Sequence, residues 1–364
     1  METQHLKALK EEVEELENVT DEVDDSSASD SLYNISSFGV DYTVEFLVKK
    51  IKKESFFIPP FQREYVWSKN DASKFIESIL LGLPVPGIFI FKEANSPRHL
   101  VIDGQQRLKS LRFFYDGVIG ERKFKLSGIK SKWLDMAYED LNDTDRERLD
   151  DGVIHTTVFK QDFPSEGMDS VYEVFERINT GGLKLSPQEI RSCVAHGKFN
   201  DLLFELNDNE QWREIFGKKS LRLKDVELIL RFFSFAFNSG EYKKPMKKFL
   251  GDYMTENRNP SDKDVEIFKD LFVRTFSLIH SSLGKKAFRP ERPLNAAVFD
   301  TISATVAHRL LESEKIDEGI VKAAYDELLE NEDFKDWFSR ATSDDQIVES
   351  RFILAAEVFE RHAS

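Results

Sequence analysis

Leu100-Val101-Ile102-Asp103-Gly104-Gln105-Gln106-Arg107-Leu108 is the stretch on which the reading of this chain turns. Its short, β-branched apolar run has the length and composition of a buried strand, and it passes through one glycine into a helical pattern ending near Gly117. The junction also has a chemistry. The first N–H groups of a helix and its positive dipole end form an anion site. Gly104 lets the backbone approach a phosphate closely, and the Arg107 guanidinium is a fork matched to two phosphoryl oxygens. Gln105 and Gln106 are placed to orient a water or read a base edge. A purely structural reading stands beside this one: Asp103-x-x-Gln106 spells a reciprocal capping box, and Arg107 pairs with a neighbouring carboxylate.

Working outward, the spacing of Val44, Leu47, Val48 and Ile51 predicts a helix over 41–53, and Phe75, Ile76, Ile79 and Leu80 predict another over 68–82. Leu-Pro-Val-Pro-Gly-Ile-Phe-Ile-Phe-Lys turns at its prolines into a buried strand, and Val-Ile-His-Thr-Thr-Val-Phe (153–159) is a third. Phe-Phe-Ile-Pro-Pro-Phe-Gln-Arg-Glu-Tyr-Val-Trp (56–67) is too rich in proline and aromatics for a helix and reads as an extended arm. Within it Gln62 and Arg63 either project into a pocket, or Arg63 covers aromatic faces. A helix carrying Val171, Val174, Phe175 and Ile178 stops at Asn179-Thr180-Gly181-Gly182. That stop is either a left-handed helix end or a pair of glycines whose amides surround an anion. Ser186-Pro187-x-Glu189 opens the next helix with a capping box and proline at its first position.

Beyond about residue 196 strand signals vanish, and amphipathic stretches cover 224–237, 262–283, 293–311, 317–330 and 344–361. The expected class is α+β: residues 31–195 with a small sheet, then an α-helical domain over 196–364. Residues 1–30 hold eleven Asp/Glu against Lys7 and Lys10, which is −9 of the net −15. Leu6, Leu9, Val13 and Leu16 in this tail make one apolar seam, too short for a stable coiled coil alone. It reads as a solubilising arm or as a helix for docking and self-association.

The chain of 364 residues, 40% hydrophobic and 32% charged, is long enough for two domains. No apolar run approaches the ~20 residues of a membrane span, and the acidic start lacks the pattern of a secretory signal. Cys193 is the only cysteine, which excludes internal disulfides and Cys-rich zinc sites; on its helix it reads as buried and inert. These features predict a cytoplasmic protein without a membrane partner. His-Glu-x-x-His, Gly-x-x-x-x-Gly-Lys-[Ser/Thr] and Gly-x-Gly-x-x-Gly are all absent. Outside the tail the charges nearly balance, so bulk electrostatics do not argue for DNA. The lysine clusters at 49–53, 243–248 and 285–292 read first as solvated faces, with nucleic-acid contact second.

In order, Pro-Pro-Phe-Gln-Arg-x-Tyr-x-Trp (59–67), Phe-Ile-x-Ser-Ile-Leu-Leu-Gly-x-Pro-x-Pro (75–86), Ile-Asp-Gly-Gln-Gln-Arg (102–107) and Ile-Asn-x-Gly-Gly-x-x-Leu-Ser (178–186) resemble the N-terminal domain of GmrSD-type restriction proteins. The resemblance covers roughly residues 35–195. It implies a ParB/sulfiredoxin-like fold whose Gly-x-x-Arg turn, here Gly104 to Arg107, holds phosphates. It further implies Mg-dependent binding or hydrolysis of a nucleoside triphosphate of unspecified base, used to control DNA cleavage in defence against phage. Asp103, Gln105, Gln106 and Arg107 would make phosphate contacts or position water. Gln62, Arg63 and Gly104 would face the nucleotide, with Asn179, Gly181 and Gly182 closing the site. Residues 196–364 lack the His-x-Ile-x-Pro signature of an HNH nuclease, so nuclease activity does not carry over. The expected role is an NTPase that gates DNA recognition or a partner nuclease or other defence protein. The alternatives are a non-hydrolysing DNA- or protein-binding adaptor and a metal-dependent DNA nickase using the same pocket.

Overall fold

The computed structural model describes residues 19–20, 34–58, 65–92, 98–163, 174, 186–291, 293–312 and 315–364. Backbone contacts separate two units, Ser31–Leu185 and Ser186–Ser364, the second also taking in Met1–Asp30. In chain order the strands are Val19–Thr20 (β1), Asn34–Thr43 (β2), Phe56–Phe57 (β3), Ile88–Lys92 (β4), His99–Asp103 (β5), Val118–Ile119 (β6), Arg122–Lys123 (β7), Val153–Phe163 (β8) and Leu294–Asn295 (β9). The class is α+β, as the period change along the chain predicts.

The first unit is built on a five-stranded sheet of order β2-β8-β4-β5-β3. β2 and β8 are antiparallel, β8 and β4 parallel, β4 and β5 antiparallel, and β5 and β3 parallel. Helices Val44–Lys52 (α1), Lys69–Leu80 (α2), Gln105–Asp116 (α3) and Asp143–Asp150 (α4) complete the unit. Ile88 and Ile90 of β4, Val101 of β5 and Ile154 of β8 turn to one face of the sheet. There they share a core with Leu47 and Val48 of α1, Ile76 and Leu80 of α2, and Leu108, Leu111 and Phe114 of α3.

One boundary and one strand differ from the pattern-based expectation. The helix predicted from residue 41 begins at Val44, because Asp41, Tyr42 and Thr43 are committed to β2 and Thr43 serves as its N-cap. β2 itself is not evident in the sequence, since its Ser, Gly and Asp residues lack alternation and its partner lies more than a hundred residues away. The helix over 68–82 starts as predicted, with Ser68 and Asp71 closing a capping box.

The second unit is helical: Pro187–Val194 (α5), Lys198–Leu206 (α6), Glu210–Phe216 (α7), Lys224–Asn238 (α8), Met246–Glu256 (α9), Asp262–Leu283 (α10), Ala296–Leu311 (α11), Glu318–Glu330 (α12), Glu332–Ser339 (α13) and Asp345–Ala363 (α14). Its core is aromatic. Phe232 of α8 lies 5.2 Å from Phe276 of α10, which stacks on Phe299 of α11 and meets Trp212 of α7. Arg231 and Asp300 form a buried two-toothed ion pair between α8 and α11, with Nε 2.9 Å from Oδ1. The box at Ser186 and Glu189 forms as read from the sequence, with proline at the first position of α5. In the acidic tail, β1 pairs in parallel with β9; the seam of Leu6, Leu9, Val13 and Leu16 lies outside the described residues. Among the described residues no helix is long and apolar enough to cross a membrane.

Candidate functional site

Apolar β5 ends at Asp103, and Gly104 makes the turn into α3 with φ 99° and ψ 8°. Two independent facts require glycine here. The conformation is left-handed, and a Cβ would stand 2.4 Å from Cγ2 of Ile88. α3 buries Leu108, Leu111 and Phe114, which leaves Gln105, Gln106 and Arg107 of its first turn at the rim of the core.

The capping box expected between Asp103 and Gln106 does not form. Gly104 is the N-cap and supplies no side-chain oxygen. Gln106 turns to the arm instead, where its Oε1 accepts the backbone N–H groups of Val66 (3.1 Å) and Trp67 (3.3 Å). Ser110, one turn on, donates to the Gln106 carbonyl and bonds the Tyr65 hydroxyl at 2.6 Å. Burial outweighs that bond and pushes the Tyr65 phenol up. Tyr65 and Gln106 thus fasten the end of the arm onto α3.

Arg107 takes the structural pairing that the sequence left open. Its Nη2 donates to Oδ2 of Asp103 at 2.7 Å and its Nη1 to the carbonyl of Gly87, at the mouth of β4. Its side chain is only 11% exposed, against 39% for Asp103. The guanidinium is therefore locked in orientation, and its remaining N–H groups have no partner among the described residues. Gln105 carries a buried Oε1 that is likewise unpartnered among them.

A register slip between Phe89 and Ile90 decides where Asp103 points. Phe89 pairs with Asp103 but Ile90 with Val101, so Ile102 is the extra residue. Strict alternation would put Asp103 on the core face with Val101; the slip turns it to the opposite face. On that face, at the same end of the sheet, the sequence reading overlooked His155 of β8, whose Nδ1 lies 2.8 Å from Oδ1 of Asp41 on β2. Assigning Asp41 to a helix concealed the pair; alternation in Val153–Phe159 was the available signal for His155.

Asp103, Gly104, Gln105, Gln106 and Arg107 are thus contiguous at one strand–helix junction. Gln62, Arg63, Asn179, Gly181 and Gly182 lie outside the described residues. Among the described residues no three His, Cys, Asp or Glu side chains gather as metal ligands. Oδ1 of Asp103 has no partner among them, and one carboxylate suits a Mg ion that arrives on phosphate oxygens and keeps its water.

Each lysine cluster has members tied to carboxylates. Lys52 pairs with Asp116, Lys244 with Asp344, Lys248 with Asp252 and Lys285 with Glu214. Arg289 donates to the Ile215 and Phe216 carbonyls at the end of α7. Cys193 is buried and its thiol is pushed well up by desolvation, which makes it a poor nucleophile.

Residues 44–195 match the family described as GmrSD restriction endonuclease, N-terminal domain. Over these residues the chain is similar to that N-terminal domain. An uncharacterized protein of Methanocaldococcus jannaschii is 25% identical to this chain, in an alignment covering 49% of this chain and 44% of that protein. The chain thus spans less than half the length of this curated relative.

Proposed function

We propose that the junction of β5 and α3 binds the phosphates of a Mg-bound nucleoside triphosphate and supports its hydrolysis. In this reading the protein is a regulatory component of a restriction or defence system, gating DNA recognition or a partner nuclease. The observation that carries the reading is the oriented guanidinium of Arg107 beside a helix start whose N-cap is a left-handed glycine. Gly104 withholds the side-chain oxygen that would otherwise occupy the first-turn N–H groups, so an anion takes that place. Arg107 is held by Asp103 and the Gly87 carbonyl, so little reorganisation is needed when phosphate arrives. Asp103 would hold the Mg ion, which supplies charge neutralisation at the phosphates. Gln106 anchors the arm at Val66 and Trp67 to the same junction.

The test is phosphate release from ATP, GTP, CTP and UTP with Mg, with and without DNA, comparing wild type with Arg107→Ala. Calorimetric binding and melting temperature are recorded on the same samples. Turnover that vanishes in a variant still folded at the assay temperature supports the reading. Saturable binding without phosphate release makes the protein a non-hydrolysing adaptor. Absence of both binding and release overturns the phosphate site.

A further inference from the structure

The Arg107 guanidinium marks a particular place on the sheet. It donates to the Gly87 carbonyl and to Oδ2 of Asp103, so it spans the start of β4 and the end of β5. Phe89 is related to both of these positions. It is the cross-strand partner of Asp103, and it follows Gly87 by two residues. Directly opposite residues have Cβ atoms roughly 4.5–5.5 Å apart, and two residues along a strand cover roughly 6.7 Å. Gly87 contributes no side chain of its own. A Cβ there would stand only 2.8 Å from the His155 carbonyl oxygen, which restricts the position to glycine.

Register fixes the face. β4 pairs with β8 residue for residue from Ile88 to Phe91, without a slip. Ile88 and Ile90 belong to the core shared with the helices, so Phe89 and Phe91 take the opposite face, the one to which Asp103 is turned. There the two phenylalanines differ. Phe91 is buried, and its ring lies 5.3 Å from that of Phe159. Phe89 is only partly buried, and its ring has no aromatic or cationic neighbour among the described residues. His155, a polar group of the same face, leans the other way: its Nε2 lies 3.1 Å from where a Gly39 Cβ would stand, over β2. Beside the guanidinium, the face thus offers one partly exposed aromatic ring.

We infer that Phe89 is the surface on which the base of the nucleotide stacks, and that it separates nucleoside triphosphates from inorganic polyphosphate; this rests on the nucleotide reading. The phosphates lie at the first turn of α3 and on Arg107. The ribose passes over Gly87, where that residue has no side chain to obstruct it, and the base reaches Phe89. The spacing from Gly87 to Phe89 is one that a ribose bridges between a phosphate and its base. A phenyl ring has no donor or acceptor, so it meets the π face that every base presents and does not choose among bases. Asp103, opposite Phe89, remains with the phosphates and Mg.

The experiment is calorimetric binding of ATP, GTP, CTP, UTP and inorganic tripolyphosphate, each with Mg, to the full chain as wild type, Phe89→Leu and Phe89→Tyr. Melting temperature is taken as the folding control. Wild type is expected to bind all four nucleotides at least about tenfold more tightly than tripolyphosphate. Phe89→Leu should weaken the nucleotides on the order of 10–100-fold and leave tripolyphosphate within about twofold, while Phe89→Tyr keeps nucleotide binding within about twofold. Nucleotide binding unchanged in Phe89→Leu overturns the assignment and leaves the phosphate site standing. So does equal weakening of nucleotides and tripolyphosphate, which is the mark of a packing role. Wild type that binds tripolyphosphate as tightly as the nucleotides overturns it without recourse to any variant. Absence of binding by every one of these ligands in wild type overturns both the stacking residue and the phosphate site.

Discussion

Arg107 donates to Asp103 at 2.7 Å across the one glycine that joins strand to helix, so the charge at the junction is paired before any ligand arrives. That pairing sets a test of how the two residues divide their roles. Asp103→Asn keeps the side-chain shape and an acceptor for Arg107 but removes the negative charge. Nucleotide binding is expected to persist and to lose its dependence on Mg, measured by calorimetry with and without the ion. A Mg requirement unchanged from wild type would remove Asp103 from the metal's surroundings.

Gly104→Ala meets both a left-handed backbone and the Ile88 side chain at 2.4 Å. Overpacking and backbone strain together are expected to cost about 2–4 kcal/mol. Urea unfolding of the full chain is the measurement, with Gly117→Ala as comparison. Gly117 shares the positive φ but has nothing within 4 Å, so its loss should be about 1 kcal/mol.

Gln106→Ala frees the backbone of Val66 and Trp67 without touching the core. We expect a stability loss of about 1 kcal/mol and a red shift of tryptophan emission as Trp67 leaves its contact with Phe75. An unchanged emission spectrum would show that the arm is held by Tyr65 and Ser110 alone.

Arg231→Met leaves Asp300 buried and unpaired in the helical unit. Such losses cost about 3–5 kcal/mol, whereas exchanging both partners for apolar residues recovers most of it. Thermal melts of Arg231→Met, Asp300→Leu and the double variant check this: the double should melt above either single.

Burial alone would raise the Glu227 carboxyl, but Lys224, Arg191 and Arg231 outweigh it and hold the group at about 2. A carboxylate depressed below its unfolded value of about 4.3 contributes stability above that pH and loses it as pH falls toward 2. The melting temperature is expected to drop across that window. Glu227→Gln should flatten this part of the profile and lower stability at neutral pH.

The amino-acid order alone determined the local elements and the motif-bearing junction. The helical spacing of Phe75, Ile76, Ile79 and Leu80, the box at Ser186 and Glu189, and the glycine before Gln105 are all written within a few residues. The forces behind them, capping and one-sided burial, act over the same short distance. The tertiary structure decided the rest. β2 exists because β8 pairs with it from more than a hundred residues away, and that pairing moved Asp41 from a helix start to a place beside His155. Gln106 gave up a local capping box because the backbone of Val66 and Trp67 presents two donors to its one oxygen. The register slip beside Ile90 turned Asp103 out of the core, and no local pattern encodes a slip that arises only when two strands meet. What a side chain is in the sequence is local; which face of the sheet it serves is set by its partner strand.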